Sequence, residues 1–420
     1  MNKQTLAIWG IANGYYTHKT VINQKFDVVS LVDANPEKQG MIVDGLMIKS
    51  PSTLKDTSFD YVLVLPISLD GYKIRKELNA MGIPDEKMRF IDTGGVSPFG
   101  IDPLFFADDL TEEDRQRLFA ENVERVVFEI NSKCNRECWF CTNSVVDRHS
   151  HNIDMEDDVF YKIISELKLI DYDADICFSF FNEPLCSPKL FERLRYIRKN
   201  LPKALLYLFT NGDFLEKEHL QIFSDIGLNL LLIDIYQDDK DKDYDHDDAQ
   251  LETDKMLTKL GFDIDYDKSL PNVDFIRKFN DMTLRFIAKN FRNVAANRAE
   301  SLPEDLPIPK IEGHPRLCVC RFMSYHIDYN GDVWPCPNYH PNFEPHKKYR
   351  LGNVKNETIF ELYCGKNFAD YYEQHMFHRE NLPCRSCILN FYSVVTNIFD
   401  RPFRDRPVYR RKYRTTFAKD

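Results

Sequence analysis

No run in this 420-residue chain is apolar for long enough to cross a bilayer as a helix. The amino terminus, MNKQTLAIWGIANGYY, lacks the long apolar core and small-residue cleavage site of an export signal. Membrane association and secretion are therefore not expected, and the chain reads as cytoplasmic. Positive charge is also short, with 55 Lys and Arg against 66 Asp and Glu and a formal net charge of -11. A protein that held nucleic acid by neutralising phosphates would carry the opposite sign, so no nucleic-acid partner is expected. The one basic stretch is the tail, residues 401–420, which reads as a disordered or docking segment, with binding of an anionic substrate or partner as the sharper alternative. Cysteine, by contrast, is plentiful at 11 residues. Without an export signal, and with most of them at ligand spacings, these cysteines point to metal in a reducing compartment and not to disulfides.

The length suggests two or three domains. The centre of the chain is VVFEINSKCNRECWFCTN, in which an apolar β-branched run, residues 126–130, feeds into Cys134, Cys138 and Cys141 at CxxxCxxC spacing. Three thiolates can hold three irons of a cubane and leave the fourth open to a small molecule. A structural zinc knuckle is the bland alternative. After this loop, helices expected at 157–169, 188–199 and 216–226 alternate with strands at 175–181, 205–210 and 228–236. Repeated βα units build a parallel barrel, which places Asn182-Glu183-Pro184 and Thr210-Asn211-Gly212 at strand ends, where catalytic groups collect.

The cysteine spacing, with aromatic Phe140 before Cys141, resembles the radical S-adenosylmethionine (radical SAM) superfamily. The resemblance implies a 4Fe-4S cluster on Cys134, Cys138 and Cys141, whose open iron binds SAM and whose electron releases a 5′-deoxyadenosyl radical. Glu183 matches the glutamate of the family's GGEP stretch, which binds the methionine ammonium, while Asn182 departs from its glycine. Asn211 lies in the family's TNG strand end, Asp234 falls where a polar residue meets the SAM ribose, and Asn297-Arg298-Ala299 resembles an NRAG stretch that closes the barrel. Phe140, Asn182, Glu183, Asn211, Asp234 and Asn297 are thus the expected SAM contacts. Cys177 and Cys186 read as core packing, and residues 238–248 as a solvated acidic loop in which His246 is a ligand only by exception.

Towards the carboxyl terminus, Cys320 precedes IDYNGDVWPC, whose Asn-Gly turn closes a hairpin toward Cys336, and Cys384 and Cys387 follow at CxxC spacing. Four thiolates complete a site, with a zinc ribbon as the alternative. The order, with LGNV and IFELY, resembles the SPASM or twitch extension. It implies one auxiliary 4Fe-4S cluster on Cys320, Cys336, Cys384 and Cys387, because no cysteine follows Cys387. Cys318 is an alternative to Cys320, and Cys364 reads as packing.

Residues 1–95 alternate strand and helix as a Rossmann-like parallel sheet does, with Asp33 at the ribose-ligand position and Ala12 in place of the fingerprint's middle glycine. They resemble nucleotide-binding-like domains attached to bacterial sugar-modifying enzymes, so the domain either docks a nucleotide or has kept the fold and lost the ligand. The expected class is α/β: the Rossmann-like domain (1–95), a linker and helix (96–125), a partial (β/α)6 TIM-like radical SAM barrel (126–311), a small α+β SPASM/twitch extension (312–400) and the basic tail (401–420). A fully ligated auxiliary cluster suits electron transfer, and the layout resembles the twitch-bearing dehydrogenases of aminoglycoside assembly. The expected activity is oxidation of a sugar, cyclitol or nucleotide-linked sugar, with a flavodoxin- or ferredoxin-type reductant as partner. Epimerisation with Cys186 or Cys318 as hydrogen donor, a peptide-modifying maturase and a non-catalytic zinc and nucleotide scaffold are the alternatives.

Overall fold

The computed structural model describes residues 3–12, 15–16, 19, 22–23, 26–65, 68–90, 110–236, 245–270, 272–295, 297–309, 324–377, 381–383 and 387. Cys318, Cys320, Cys384 and the basic tail lie outside these residues. The chain divides into two compact units, one holding the described residues up to 110 and the other those from 111 to 316 and from 320 to 389.

In the first unit the apolar runs pair into a six-stranded sheet, β3-β4-β2-β1-β5-β6. The strands are β1 (Gln4–Trp9), β2 (Phe26–Val32), β3 (Ile42–Val43), β4 (Leu46–Lys49), β5 (Tyr61–Val64) and β6 (Met88–Phe90). All neighbours run parallel except the β3–β4 hairpin. Helix α1 (Ser68–Ala80) joins β5 to β6. Leu6, Ile8, Leu31 and Leu63 form the core, as their β-branched and leucine-rich strands require when both faces are covered. Asp33 sits at the end of β2 as expected, but its carboxylate is engaged by the chain itself. It accepts from the amides of Ile11 (2.9 Å) and Asn35 (2.9 Å) and from Lys38 Nζ (3.0 Å).

The second unit opens with α2 (Glu112–Asn122), started by a Thr111–Asp114 capping box. Phe119 on this helix packs edge-to-face against Tyr325, Phe360 and Tyr363 at 5.3–5.4 Å, so the segment that follows the expected linker belongs to this unit's core. The βα units then follow in order: β7 (Arg125–Phe128), α3 (Asp157–Leu169), β8 (Asp175–Cys177), α4 (Leu190–Asn200), β9 (Leu205–Thr210), α5 (Lys217–Ile226), β10 (Leu230–Ile235) and α6 (His246–Leu260). Helix α3 buries Val159, Phe160, Ile163, Ile164 and Leu167, one stripe at helical spacing, and α5 ends on the left-handed Gly227.

The nine-stranded sheet of this unit has the order β11-β12-β10-β9-β8-β7-β13-β14-β15. Strands β7, β8, β9, β10 and β12 (Met282–Ala288) run parallel, and β13 (Ser324–Ile327) adds a sixth parallel strand beside β7. Among the described residues this sixth parallel strand is thus lent by the carboxyl-terminal segment. Hairpin partner β11 (Val273–Phe279) runs antiparallel to β12, while β14 (Asp332–Trp334) and β15 (Gly352–Asn353) continue the edge beyond β13. Strand β8 stops at Cys177, four residues short of its expected end; after a last bond from the Phe178 amide to Tyr207 O (3.3 Å) the chain turns off to deliver Asn182 and Glu183. Residues 245–248 of the acidic run cap and open α6, the Asp245 carboxylate accepting from the amides of Asp247 and Asp248. Helices α7 (Phe291–Val294), α8 (Ile359–Tyr363) and α9 (Lys366–Phe377) complete the unit. Among the described residues no helix is long and apolar enough to cross a membrane.

Candidate active site

The CxxxCxxC loop leaves the C-terminal end of β7 and is pinned at both ends. The Cys134 amide donates to Arg148 O (3.3 Å), and the Cys141 amide closes a turn onto Cys138 O (2.9 Å). Cys138 is buried among Trp139, Phe140 and Ala295, while Cys134 and Cys141 are half-buried. Burial pushes the Cys134 thiol up to about 12, and the nearby Glu183, Cys141 and Cys186 push in the same direction. Among the described residues no three His, Cys, Asp or Glu side chains are grouped to hold a single metal ion. The donor set here is three thiols of one loop, which fits three irons of a cubane.

Glu183, just past β8, lies directly against this loop, its amide donating to Lys133 O (2.9 Å). Its carboxylate accepts from Thr210 Oγ1 (2.9 Å) and from the amides of Leu185 (3.1 Å) and Asn211 (2.9 Å). Burial raises it to about 7 against these hydrogen bonds. Gly212 completes the turn at φ +78°, where an added Cβ would lie 2.5 Å from the Met256 methyl carbon. Asn211 Nδ2 donates to Asn135 Oδ1 (2.8 Å), Asn135 donates to Asp213 (2.6 Å), and Arg136 clamps Asp213 with two bonds of 2.7 and 2.6 Å. These contacts fasten the cysteine loop over the end of β9.

Asp234, on β10, is buried. Its Oδ2 accepts from Tyr236 (3.1 Å), whereas its buried Oδ1 accepts no hydrogen bond and has Lys289 Nζ at 3.5 Å. A buried oxygen in that state is suited to a hydroxyl from outside the chain. Phe140 stacks on Phe291 with centroids 3.5 Å apart and lies 5.4 Å from Tyr236, an aromatic floor beside the third cysteine. Asn182 departs from the glycine of the resembled stretch and spends its side chain on the chain itself, donating to Asn131 (2.8 Å) and accepting from the Phe180 amide (3.1 Å). Asn297 opens the turn that follows α7. Arg298 in that turn donates to Phe140 O (3.3 Å).

Of the expected auxiliary ligands, Cys336 and Cys387 are described and half-buried. Asn338 Nδ2 lies 3.9 Å from Cys387 Sγ. Cys177 and Cys364 are buried packing residues, as expected. Cys186 is not, for it is half-buried beside Glu183, its amide donating to Glu183 O (3.0 Å). His246 starts α6 and shares a hydrogen bond with Gln250 (2.7 Å).

Motif reading missed a buried polar network that joins the cysteine loop to the carboxyl-terminal segment. Glu129 accepts from Arg148 Nη2 (2.5 Å) and the Phe181 amide (3.1 Å), and Arg148 also donates to Asn342 (3.0 Å). His340 Nδ1 accepts from the Asn342 amide, which fixes the tautomer whose Nε2 donates to Asn143 Oδ1 (3.1 Å). By the same logic His346 Nε2 donates to Ala299 O (2.8 Å), its Nδ1 accepting from the His340 amide. Burial holds both imidazoles below their ordinary value, in the neutral form these bonds need.

Three stretches of the chain match known families. Residues 2–89 match the family described as C2185-like, N-terminal, residues 128–281 the radical SAM superfamily, and residues 318–388 the SPASM iron-sulfur cluster-binding domain. The S-adenosyl-L-methionine-dependent 2-deoxy-scyllo-inosamine dehydrogenase of Niallia circulans is 32% identical over 105 residues, which span 25% of this chain and 42% of that relative. Among solved structures, BtrN in complex with AdoMet and 2-DOIA aligns at 20% identity with a TM-score of 0.47, covering 64% of this chain and 94% of its own. Native anSMEcpe with bound AdoMet aligns at 17% with a TM-score of 0.38, covering 60% and 84%.

Proposed function

The chain is a radical SAM superfamily protein with a SPASM domain, and on that premise we propose that it oxidises a secondary alcohol of a sugar- or cyclitol-like small molecule. The observation that carries this reading is Glu183, a buried carboxylate at a strand end, fixed by three donors and tied to the residue before Cys134. A cation is the natural partner of such a group.

In this assignment Cys134, Cys138 and Cys141 hold one 4Fe-4S cluster, and Cys320, Cys336, Cys384 and Cys387 hold an auxiliary one. Bound there, the two clusters would supply reductive cleavage of SAM to a 5′-deoxyadenosyl radical and an acceptor for the electron released when a carbinol carbon becomes a ketone. Glu183 grips the methionine ammonium. Asp234 Oδ1 accepts a ribose hydroxyl, and Phe140, Asn182, Asn211 and Asn297 border the rest of the SAM site. The Asn211–Asn135–Asp213–Arg136 chain of contacts holds the loop in register with these strand ends. The partial likeness to an aminocyclitol dehydrogenase supports oxidation over epimerisation or peptide modification. A flavodoxin- or ferredoxin-type protein is the fitting one-electron donor.

The test is turnover of the reconstituted protein with SAM, dithionite and a panel of aminocyclitols and sugars deuterated at each carbinol carbon. The expected result is one position whose deuterium appears in 5′-deoxyadenosine, with a product that is trapped by hydroxylamine as a ketone. A product of unchanged composition and inverted centre would replace oxidation by epimerisation.

A further inference from the structure

Arg298, Ala299 and Glu300 adopt left-handed backbone conformations in succession, with φ of +49°, +52° and +63°. Such a run is unfavourable for residues with a Cβ and persists only where its surroundings enforce it. Here they do. His346 Nε2 donates to Ala299 O (2.8 Å), Ser301 Oγ donates to Arg298 O (2.8 Å), and the Ser301 hydroxyl meets that of Thr142 (2.6 Å), the residue after Cys141. The turn is therefore clamped between the cysteine loop and the carboxyl-terminal segment.

Its effect is to aim one guanidinium both ways. Arg298 Nε donates to Phe140 O (3.3 Å), next to Cys141, and Nη1 donates to Asn338 Oδ1 (3.3 Å), two residues from Cys336. Because the Asn338 carbonyl is taken by Arg298, its amide group must face the other way, and Nδ2 lies 3.9 Å from Cys387 Sγ. Asn338 is 2% exposed, so the donor side of this long N–H···S contact is shielded from water, while Cys387 is half-buried.

We propose that Arg298 and Asn338 form a polar bridge between the two cysteine sites, and that Asn338 raises the reduction potential of the auxiliary cluster through its hydrogen bond to Cys387. The proposal rests on the reading that Cys387 is a ligand of that cluster. A donor on a ligating sulfur stabilises the more negative, reduced state, so removing it lowers the potential. Arg298 and Asn338 are positioning residues in this account, Arg298 acting through Asn338 by holding the amide in its donating orientation.

The experiment uses the full chain with Cys134, Cys138 and Cys141 replaced by alanine, so that only the auxiliary site is loaded, and follows a redox titration by electron paramagnetic resonance. Asn338→Leu, and the nearly isosteric Asn338→Asp should the first lose iron, are both expected to shift the midpoint potential downward at unchanged iron content. Arg298→Met should shift it the same way, and Arg298→Lys should as well, since lysine keeps the charge but not the two-way fork. A potential that stays at the parent value in both Asn338 variants overturns the bridge, as does full restoration by Arg298→Lys, which would leave charge alone as the cause. A parent that takes up no iron overturns the ligand reading beneath it and is distinguished by the metal count alone.

Discussion

Glu183 is a carboxylate in surroundings that oppose its charge until a cation arrives. With burial raising it to about 7, the empty site is largely protonated below that pH, whereas a bound methionine ammonium favours the ionised form. Deprotonation must then accompany SAM binding, so affinity should rise with pH up to about 7 and level off above it, with at most about a tenfold change per pH unit below. Calorimetry across that range should show this slope, and Glu183→Gln should flatten it while weakening binding by about 10–100-fold, the worth of one charge-assisted hydrogen bond. A variant that binds as the parent does would remove Glu183 from the SAM site. This residue was legible in the sequence because a motif places it at a strand end. Arg136, Asp213 and Asn338 were not, because their partners lie on other elements, 77 residues apart for Arg136 and Asp213 and 49 for Asn338 and Cys387. That Oδ1 of Asp234 faces Lys289 but accepts no hydrogen bond is likewise a property of packing that no spacing reveals.

Among the elements, the helices and strands with strong periodicity fell close to their expected places, α3 and β9 at their expected bounds. The β11–β12 hairpin was not foreseen, although β11 alternates less and more exposed residues along its length. Its turn, with Asn280 at φ +51°, carries no glycine to announce it. Nor does periodicity disclose that β13 lies beside β7, since Ser324 pairs with Arg125 across almost half the chain. What stabilises that distant pairing is the ion pair of Glu129 and Arg148, both essentially unexposed, together with the Asn342, His340 and His346 contacts. Removing one member of a buried pair strands the other in a medium that disfavours its charge. Arg148→Met should therefore destabilise the second unit by about 3–5 kcal/mol, with Glu129→Gln in the same chain recovering part of the loss. Trp139 and Trp334 report on that unit, so fluorescence-monitored urea unfolding can measure it. A loss under about 1 kcal/mol would mean the pair contributes no more than a surface one.

At the level of the whole molecule, a strand from the carboxyl-terminal segment completes the parallel sheet whose ends carry the site. The loop with the first three thiols and the segment with Cys336 and Cys387 thus belong to one compact unit. The first unit keeps a mostly parallel sheet, yet Asp33 is already occupied by Ile11, Asn35 and Lys38. Two iron-sulfur sites, the first cleaving SAM, can be sought by reconstituting the chain anaerobically with iron and sulfide. Iron is then counted, and 5′-deoxyadenosine is followed after addition of SAM and dithionite. About eight irons per chain are expected, with 5′-deoxyadenosine that disappears in Cys138→Ala. Zinc in place of iron, with no 5′-deoxyadenosine, would contradict that expectation.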